Sequence, residues 1–340
     1  MPLRPAPGSR SLVRAALLAL LAAPLAGPAG PAAAAPMPGT GVGAPSAAAA
    51  ASSVDVLAFV GTDRHLHTGL VGHTGLVGQG SYRDLGGTLY GTPLLVAGEQ
   101  SSYVIGVGGG RVPYVRSFTR GWARLAPAGR TCRGTSAAVA GARLSVSCLG
   151  DDGHLWTGST RLAGDALPYV ATWRDRGGSL AHGTLAGVDP DGVVAFEVVG
   201  TDHVSYRRRT DQTAFRRVAG APLCWGPLSQ DDISGGGRAC VRQDGTLVVA
   251  SNDPADANGR ASVPGTVVGR PGVAQDVDGA TRYYAVGTDG LPRVARQSAA
   301  GVVTGYRSFP AQPVRYGISA ASLGADSRAA AQLGALPAQG

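Results

Sequence analysis

The chain has 340 residues, and 30 basic against 22 acidic side chains give a formal net charge of +8. Every basic residue is arginine, and without Arg4, Arg10 and Arg14 near the start the excess falls to about +5. A charge so small and so dispersed argues against a nucleic-acid partner. The one dense run, "YRRRTDQTAFRR" from Tyr206, is expected to be a solvated strand edge whose Arg207, Arg208 and Arg209 keep other edges away.

Residues 1–35 set those three arginines around the start of the apolar run "LVRAALLALLAAPLAG" and follow it with "GPAAAA". That is the order of a secretory signal peptide: the uninterrupted apolar core is too short for a membrane span and no stop-transfer segment follows. The expectation is a secreted, extracellular protein. Residues 36–53, rich in Ala, Pro, Gly and Ser, carry no hydrophobic period and are expected to form a flexible spacer. The folded part is expected over 54–323, with 324–340 as a disordered tail.

From Val54 a β-type run, "VDVLAF", leads into "VGTDRHLH" from Val60, then "YRDLGG" from Tyr82, then "YGTPLLV" from Tyr90. Each of the three pieces recurs. The hairpin-like piece returns as "VGGGRVPY", "LGDDGHLW", "VGTDHVSY", "VRQDGTLV" and "VGTDGLPR"; an Asp-Gly or Asp-X pair between strand-forming runs is what a tight hairpin prefers. The aromatic piece returns as "WARLAP", "WRDRGG", "FRRVAG" and "YRSFPA", and the unit around "ASVPG" lacks its aromatic. The glycine piece returns as "RGTSAAV", "HGTLAGV", "WGPLSQD", "VGRPGVA" and "YGISAAS", so that its glycines fall at 91, 134, 183, 226, 269 and 317.

A period of 43 to 49 residues holding four short strands is the spacing of a β-propeller blade. A helical alternative fails because no segment of 54–323 keeps a 3.6-residue apolar period over three turns, and Gly and Pro interrupt throughout. The chain begins in the middle of a unit and ends on a lone glycine piece. A ring accounts for this: the last strand, about 317–323, completes the blade begun at 54. The expected fold is all-β, a six-bladed propeller of four-stranded antiparallel blades in which N- and C-terminal strands share one blade.

The succession of an Asp-Gly hairpin, a Trp/Tyr-X-X-Leu-Gly-Gly piece and a Gly-Pro or Gly-Thr strand start resembles the PLL-like bacterial lectin propellers and, more distantly, the tectonin-type propellers. The resemblance covers nearly all of 54–323. It implies carbohydrate binding in pockets on one rim, between neighbouring blades.

Cys132 and Cys148 are sixteen residues apart, as are Cys224 and Cys240. In each pair one cysteine stands just before a strand-start glycine and the other near the end of the following strand, so the two face each other across an antiparallel hairpin, close enough to bond. Zinc would need paired short spacings, which are absent, and the leader points to an oxidising compartment.

The strand order places the residues before the glycines on the same rim as the hairpin turns. Candidate ligand-binding residues there are Tyr90, His182, Trp225 and Tyr316 before the glycines, Trp156 after a hairpin, and the turn residues Asp63, Asp152 and Asp202. Aromatic faces beside carboxylates suit sugars, which present C–H patches and hydroxyls. The competing roles are plain: the rings can cap the cores between blades, and the aspartates can serve their own turns. Tyr82, Trp122, Trp173, Phe215 and Tyr306 are expected to pack. The expected partner is a glycan or cell-surface ligand; the repeat itself specifies no oligomeric state.

A structural or protein-interaction propeller is the first alternative, and a glycoside hydrolase or lyase the second. Glu197 is the carboxylate that breaks the repeat; it either pairs with an arginine of the next blade or belongs to a site. The sequence contains no Ser-X-Asp-X-Gly-X-Thr-Trp box, no Gly-X-Ser-X-Gly elbow and no phosphate loop. His65 and His67 lack a third ligand, so neither a metal nor a cofactor is expected.

Overall fold

The computed structural model describes residues 53–72, 82–97, 102–164, 166–189, 191–230, 238–250, 260–275, 280–298, 301–308 and 313–324. Residues 1–52 and 325–340, where the leader, spacer and tail are expected, lie outside these. Among the described residues no helix is long and apolar enough to cross a membrane.

The strands form six four-stranded antiparallel sheets. Blade 1 holds β1 (Ser53–Gly61), β2 (Leu66–Gly72) and β3 (Arg83–Gly86), and blade 2 holds β4 (Leu94–Ala97), β5 (Ser102–Val107), β6 (Pro113–Ser117) and β7 (Ala123–Arg124). Blade 3 holds β8 (Gly134–Ala140), β9 (Arg143–Leu149), β10 (Leu155–Arg161) and β11 (Trp173–Asp175). Blade 4 holds β12 (Leu180–Val188), β13 (Val194–Gly200), β14 (Ser205–Arg209) and β15 (Arg216–Arg217). Blade 5 holds β16 (Ser229–Gln230), β17 (Arg238–Val241), β18 (Leu247–Ala250) and β19 (Arg260–Val263). Blade 6 holds β20 (Val267–Gln275), β21 (Thr281–Gly287), β22 (Pro292–Gln297) and β23 (Arg307–Ser308). The last strand, β24 (Val314–Gly324), returns to the inner edge of blade 1 and pairs with β1 from Ser53↔Gly324 to Phe59↔Ile318. The ring closes as the repeat requires.

Burial follows strand position within the blade. The second strands lie between two neighbouring blades and are buried on both faces, which is why "SYVIGV" and "VAFEVVG" are almost continuously apolar. The third strand alternates, as β6 does, and the outermost β15 and β23 are exposed along their length. The core is accordingly divided into wedges, one at each seam. Val56, Leu66, Leu95 and Val104 fill the seam of blades 1 and 2, Ile105, Val115, Leu144 and Val146 that of 2 and 3, and Leu149, Leu155, Phe196 and Val198 that of 3 and 4. Leu185, Val199, Leu228 and Cys240 join 4 to 5, Val249, Val263, Val273 and Tyr283 join 5 to 6, and Leu57, Phe59, Tyr284 and Val286 join 6 to 1. At that last seam Asp55 of β1 is buried against Arg282 and the Tyr284 hydroxyl of β21. Cys132–Cys148 and Cys224–Cys240 are both bonded, with Cα atoms 5.4 and 5.7 Å apart.

Two recurring contacts tie neighbouring blades, the first at all six junctions and the second at three. The first is a backbone bond from the amide just ahead of the inner strand to the preceding blade's hairpin. Leu89, Cys132, Leu180, Cys224, Val267 and Val314 donate to the carbonyls of Arg64, Arg111, Gly153, His203, Gly245 and Gly290 at 2.7 to 3.0 Å. The hairpin motif recurs because every junction uses it. The second contact seats the outer-strand aromatic. Trp122 of blade 2 lies on Gly87 of blade 1 and donates its indole N–H to the Gly86 carbonyl at 3.1 Å; Phe215 lies likewise on Gly178, and Tyr306 on Gly265. All five of these aromatics pack on seam clusters, as expected, and the "Gly-Gly" of "YRDLGG" is the seat for the neighbour's ring.

The strand-start glycines follow one another around the inner rim, but close approach does not explain them all. A Cβ at Gly183 would meet Pro227 at 3.5 Å, an ordinary contact, whereas at Gly269 (φ +74°) it would fall 1.7 Å from the Tyr316 carbonyl oxygen. The backbone of β20 presses on that of β24 there, at Gly272 and at Gly317.

Candidate functional site

Five of the six hairpins between the second and third strands are closed by their own aspartate; the blade 2 hairpin, Gly108–Arg111, carries none. One carboxylate oxygen of Asp63, Asp152, Asp202, Asp244 and Asp289 accepts the amide two residues on, at 2.9 to 3.2 Å. The carboxylate also holds the side chain four residues on: His67 at 3.0 Å, Trp156 at 3.0 Å, Tyr206 at 2.8 Å and Arg293 at 3.0 Å. Asp63, Asp152 and Asp202 therefore serve their hairpins. Asp202→Ala is expected to cost about 1 kcal/mol of stability, the scale of an exposed turn bond, in a thermal melt.

After the aspartate comes a left-handed position that is glycine in blades 3, 5 and 6. Among the described residues the non-glycines with positive φ are Arg64 (66°), Arg111 (60°) and His203 (62°), each in this place in its hairpin. All three reach the next blade. Arg64 donates to the Tyr90 hydroxyl at 3.2 Å and lies over its ring at 5.1 Å; Arg111 pairs with Asp151. His203 stacks on Trp225 with ring centroids 4.3 Å apart and planes 13° apart, and on its other side lies His182 at 6.2 Å.

Of the sequence candidates, then, the structure brings His182 and Trp225 together, through His203, in a half-exposed row across blades 4 and 5. His203 was not among the expected residues. The signal that could have found it is a histidine where three other hairpins carry glycine. Tyr90 stands alone with Arg64 over it, and the Trp156 face carries the Arg130 guanidinium at 3.8 Å. Tyr316 is partly buried on the cluster between blades 1 and 2. Burial first, then His203 and Arg133, hold the His182 pKa below its ordinary value.

The large apolar side chains left exposed also favour this rim. Tyr90, Leu223, Val268 and Leu291 (39%, 48%, 45% and 39% exposed) all lie at strand starts, hairpins or the loops leading to them. Tyr169 and Val302 lie in loops of the opposite rim.

A grouping that could hold a metal ion occurs at Asp63, His65 and Asp84, with one donor atom from each within 4.8 Å of the others. His65 Nδ1 lies 2.8 Å from Asp84, and in blade 3 His154 Nδ1 lies 3.0 Å from Asp175 in the same relation. The pair is thus a repeated tie between hairpin and outer strand. The bond to Asp84 raises the His65 pKa above 6.5, as the bond to Asp175 raises that of His154. Stabilisation by these pairs is therefore complete below pH 6.5 and lost as pH rises through the folded-state values. Histidine NMR titration is expected to show both midpoints above 6.5, with Asp84→Asn and Asp175→Asn each lowering its partner's midpoint.

Glu197 is 4% exposed on β13, its Cα opposite Leu185 and Arg207. The arginine run departs from expectation. Instead of a solvated edge, Arg207 pairs with Asp189, Arg209 bonds Asp191 at 2.6 Å and Asp211 at 3.0 Å, and Arg208 lies over the Phe215 ring. Arg207 and Arg209 are matched by aspartates of their own blade, in the loops between β12 and β13 and between β14 and β15.

No protein-family model matches the sequence, and no curated protein does. The fold is similar to that of TolB from Acinetobacter baumannii, with a TM-score of 0.52 at 11% identity over 80% of this chain and 66% of that one. It is similar also to the six-bladed propeller of the Aleuria aurantia lectin, a fungal lectin that recognises fucose, with a TM-score of 0.50 at 11% identity over 78% and 93% of the two chains. The BP39L lectin from Burkholderia pseudomallei gives 0.49 at 16% identity over 76% and 81%.

Proposed function

We propose that this chain is a secreted, non-catalytic propeller that binds carbohydrate at a cell surface through its hairpin rim. The observation that carries the reading is the His182–His203–Trp225 row, in which a ring from each of two blades is held parallel by a third in a strained turn. Stacked rings half open to solvent offer the flat apolar face that a pyranose C–H patch covers. The fold supports it, since the Aleuria aurantia lectin is a six-bladed propeller that recognises fucose. Two disulfides suit the oxidising compartment to which the leader points. Burial of Glu197 within the blade leaves it unsuited to act on a substrate at the rim. The exposed Tyr90, Leu223, Val268 and Leu291 favour a second reading, a protein partner on the same rim.

A glycan array on the full chain separates the two. Carbohydrate binding is expected, with Trp225→Ala weakening it by about 1–3 kcal/mol, the loss of one aromatic anchor, and leaving the melting temperature nearly unchanged. A large loss of stability with unchanged binding would make Trp225 a core residue and remove the site from this junction.

A further inference from the structure

The polar groups around the aromatic row are unevenly divided between donors and acceptors. Each nearby hairpin carboxylate is engaged: Asp152 by the His154 amide and the Trp156 indole, Asp202 by the Val204 amide and the Tyr206 hydroxyl. Asp151, at the next junction, is held by Arg111 and Thr131. Beside them the Arg133 guanidinium and the His182 and His203 rings add cationic or donor groups. Arg133, exposed at the start of β8, donates to the carbonyls of Gly150 at 3.1 Å and Leu180 at 3.4 Å, and its charge also acts on Asp151. Among the described residues the charged groups acting on His182 are His203 from the hairpin of its own blade and Arg133 from blade 3. His203 Nδ1 is buried without a hydrogen-bond partner.

Resting on the carbohydrate reading above, we infer that the junction of Arg133, His182, His203 and Trp225 takes an acidic saccharide, its ring on the aromatic row and its anionic oxygens on the arginine and imidazole N–H groups. A neutral sugar offers hydroxyls that need acceptors as well as donors, and the hairpin carboxylates Asp152 and Asp202 already hold donors of their own hairpins. A carboxylate or sulfate accepts only, which matches guanidinium and imidazolium donors. Protonation of His182, disfavoured in the free protein by burial and two cationic neighbours, becomes favourable when an anion arrives. Binding therefore strengthens as pH falls.

The test is calorimetry on the full chain at pH 7.5 and 5.5 with three probes: a uronic-acid oligosaccharide, a sulfated oligosaccharide and a neutral oligosaccharide. At least one acidic probe is expected to bind tenfold or more above the neutral one, and to gain roughly tenfold between pH 7.5 and 5.5, the scale of about one linked pKa unit. Which acidic arm responds distinguishes carboxylate from sulfate. Arg133→Gln is expected to cost roughly tenfold to a hundredfold for that probe and little for the neutral one, with an unchanged melting temperature. Equal, pH-independent binding of the neutral probe that still needs Trp225 overturns this inference while the carbohydrate reading stands. Acidic binding indifferent to Arg133→Gln places the anion elsewhere and overturns it too. No binding of any probe, with a blank glycan array, overturns both.

Discussion

Replacing Gly269 by alanine is expected to cost the fold about 4 kcal/mol, enough to lower the melting temperature by roughly 10 °C or more. Two effects add. An alanine at φ +74° sits in the left-handed region at about 1–2 kcal/mol, and its Cβ would lie 1.7 Å from the Tyr316 carbonyl oxygen. That oxygen belongs to backbone and cannot swing aside; β24 would have to move, and β24 also completes blade 1. Overpacking of this kind typically adds about 1–3 kcal/mol. Gly141→Ala is the control. Gly141 has φ +56° and open space around its missing Cβ, so only the dihedral cost of about 1–2 kcal/mol is expected. Equal melting temperatures for the two variants would show that blades 6 and 1 are not in backbone contact at Tyr316.

Loss of the disulfides is the second large effect. Each bridges cysteines sixteen residues apart, and a loop of that length is worth about 3 kcal/mol through the unfolded chain. The bridges lie in blades 3 and 5, with no blade in common, so their removal is expected to be additive at about 6 kcal/mol. Melting of Cys132→Ala/Cys148→Ala, of Cys224→Ala/Cys240→Ala and of the fourfold variant checks this. A fourfold variant no weaker than either double would mean that one pair already unfolds with its neighbour. Both bonds join an inner strand's approach to the second strand of its blade, at the rim that carries the aromatic row.

Much of this architecture was legible in the sequence because it is local or periodic. The hairpin aspartates act within four residues, and the cysteine spacing repeats the hairpin geometry. The lone final strand could belong only to the blade that lacked one. What escaped is what crosses a seam. The seat of Trp122 on Gly87 joins two copies of one motif through the stagger of adjacent blades, which no spacing encodes. Arg64, Arg111 and His203 stand in turns where sequence reasoning expects glycine, so their non-glycine identity carried the signal and was passed over. Trp225 and His182 were visible as rim residues, but the ring that joins them was not. Arg207 and Arg209 were misplaced for a related reason: an arginine run looks solvated until its aspartates in the flanking loops are seen.

The chain has four tryptophans, and their indole N–H resonances offer the most direct test of the binding face. Trp122 and Trp173 are tied to the carbonyls of Gly86 and Val170 in the seams, and Trp156 to Asp152 beneath the Arg130 guanidinium. On titration with a saccharide bound on the array, the Trp225 resonance is predicted to shift in proportion to occupancy while the other three stay in place. Movement of Trp122 or Trp173 at saturation, with Trp225 unmoved, would contradict a site on the His182–His203–Trp225 row.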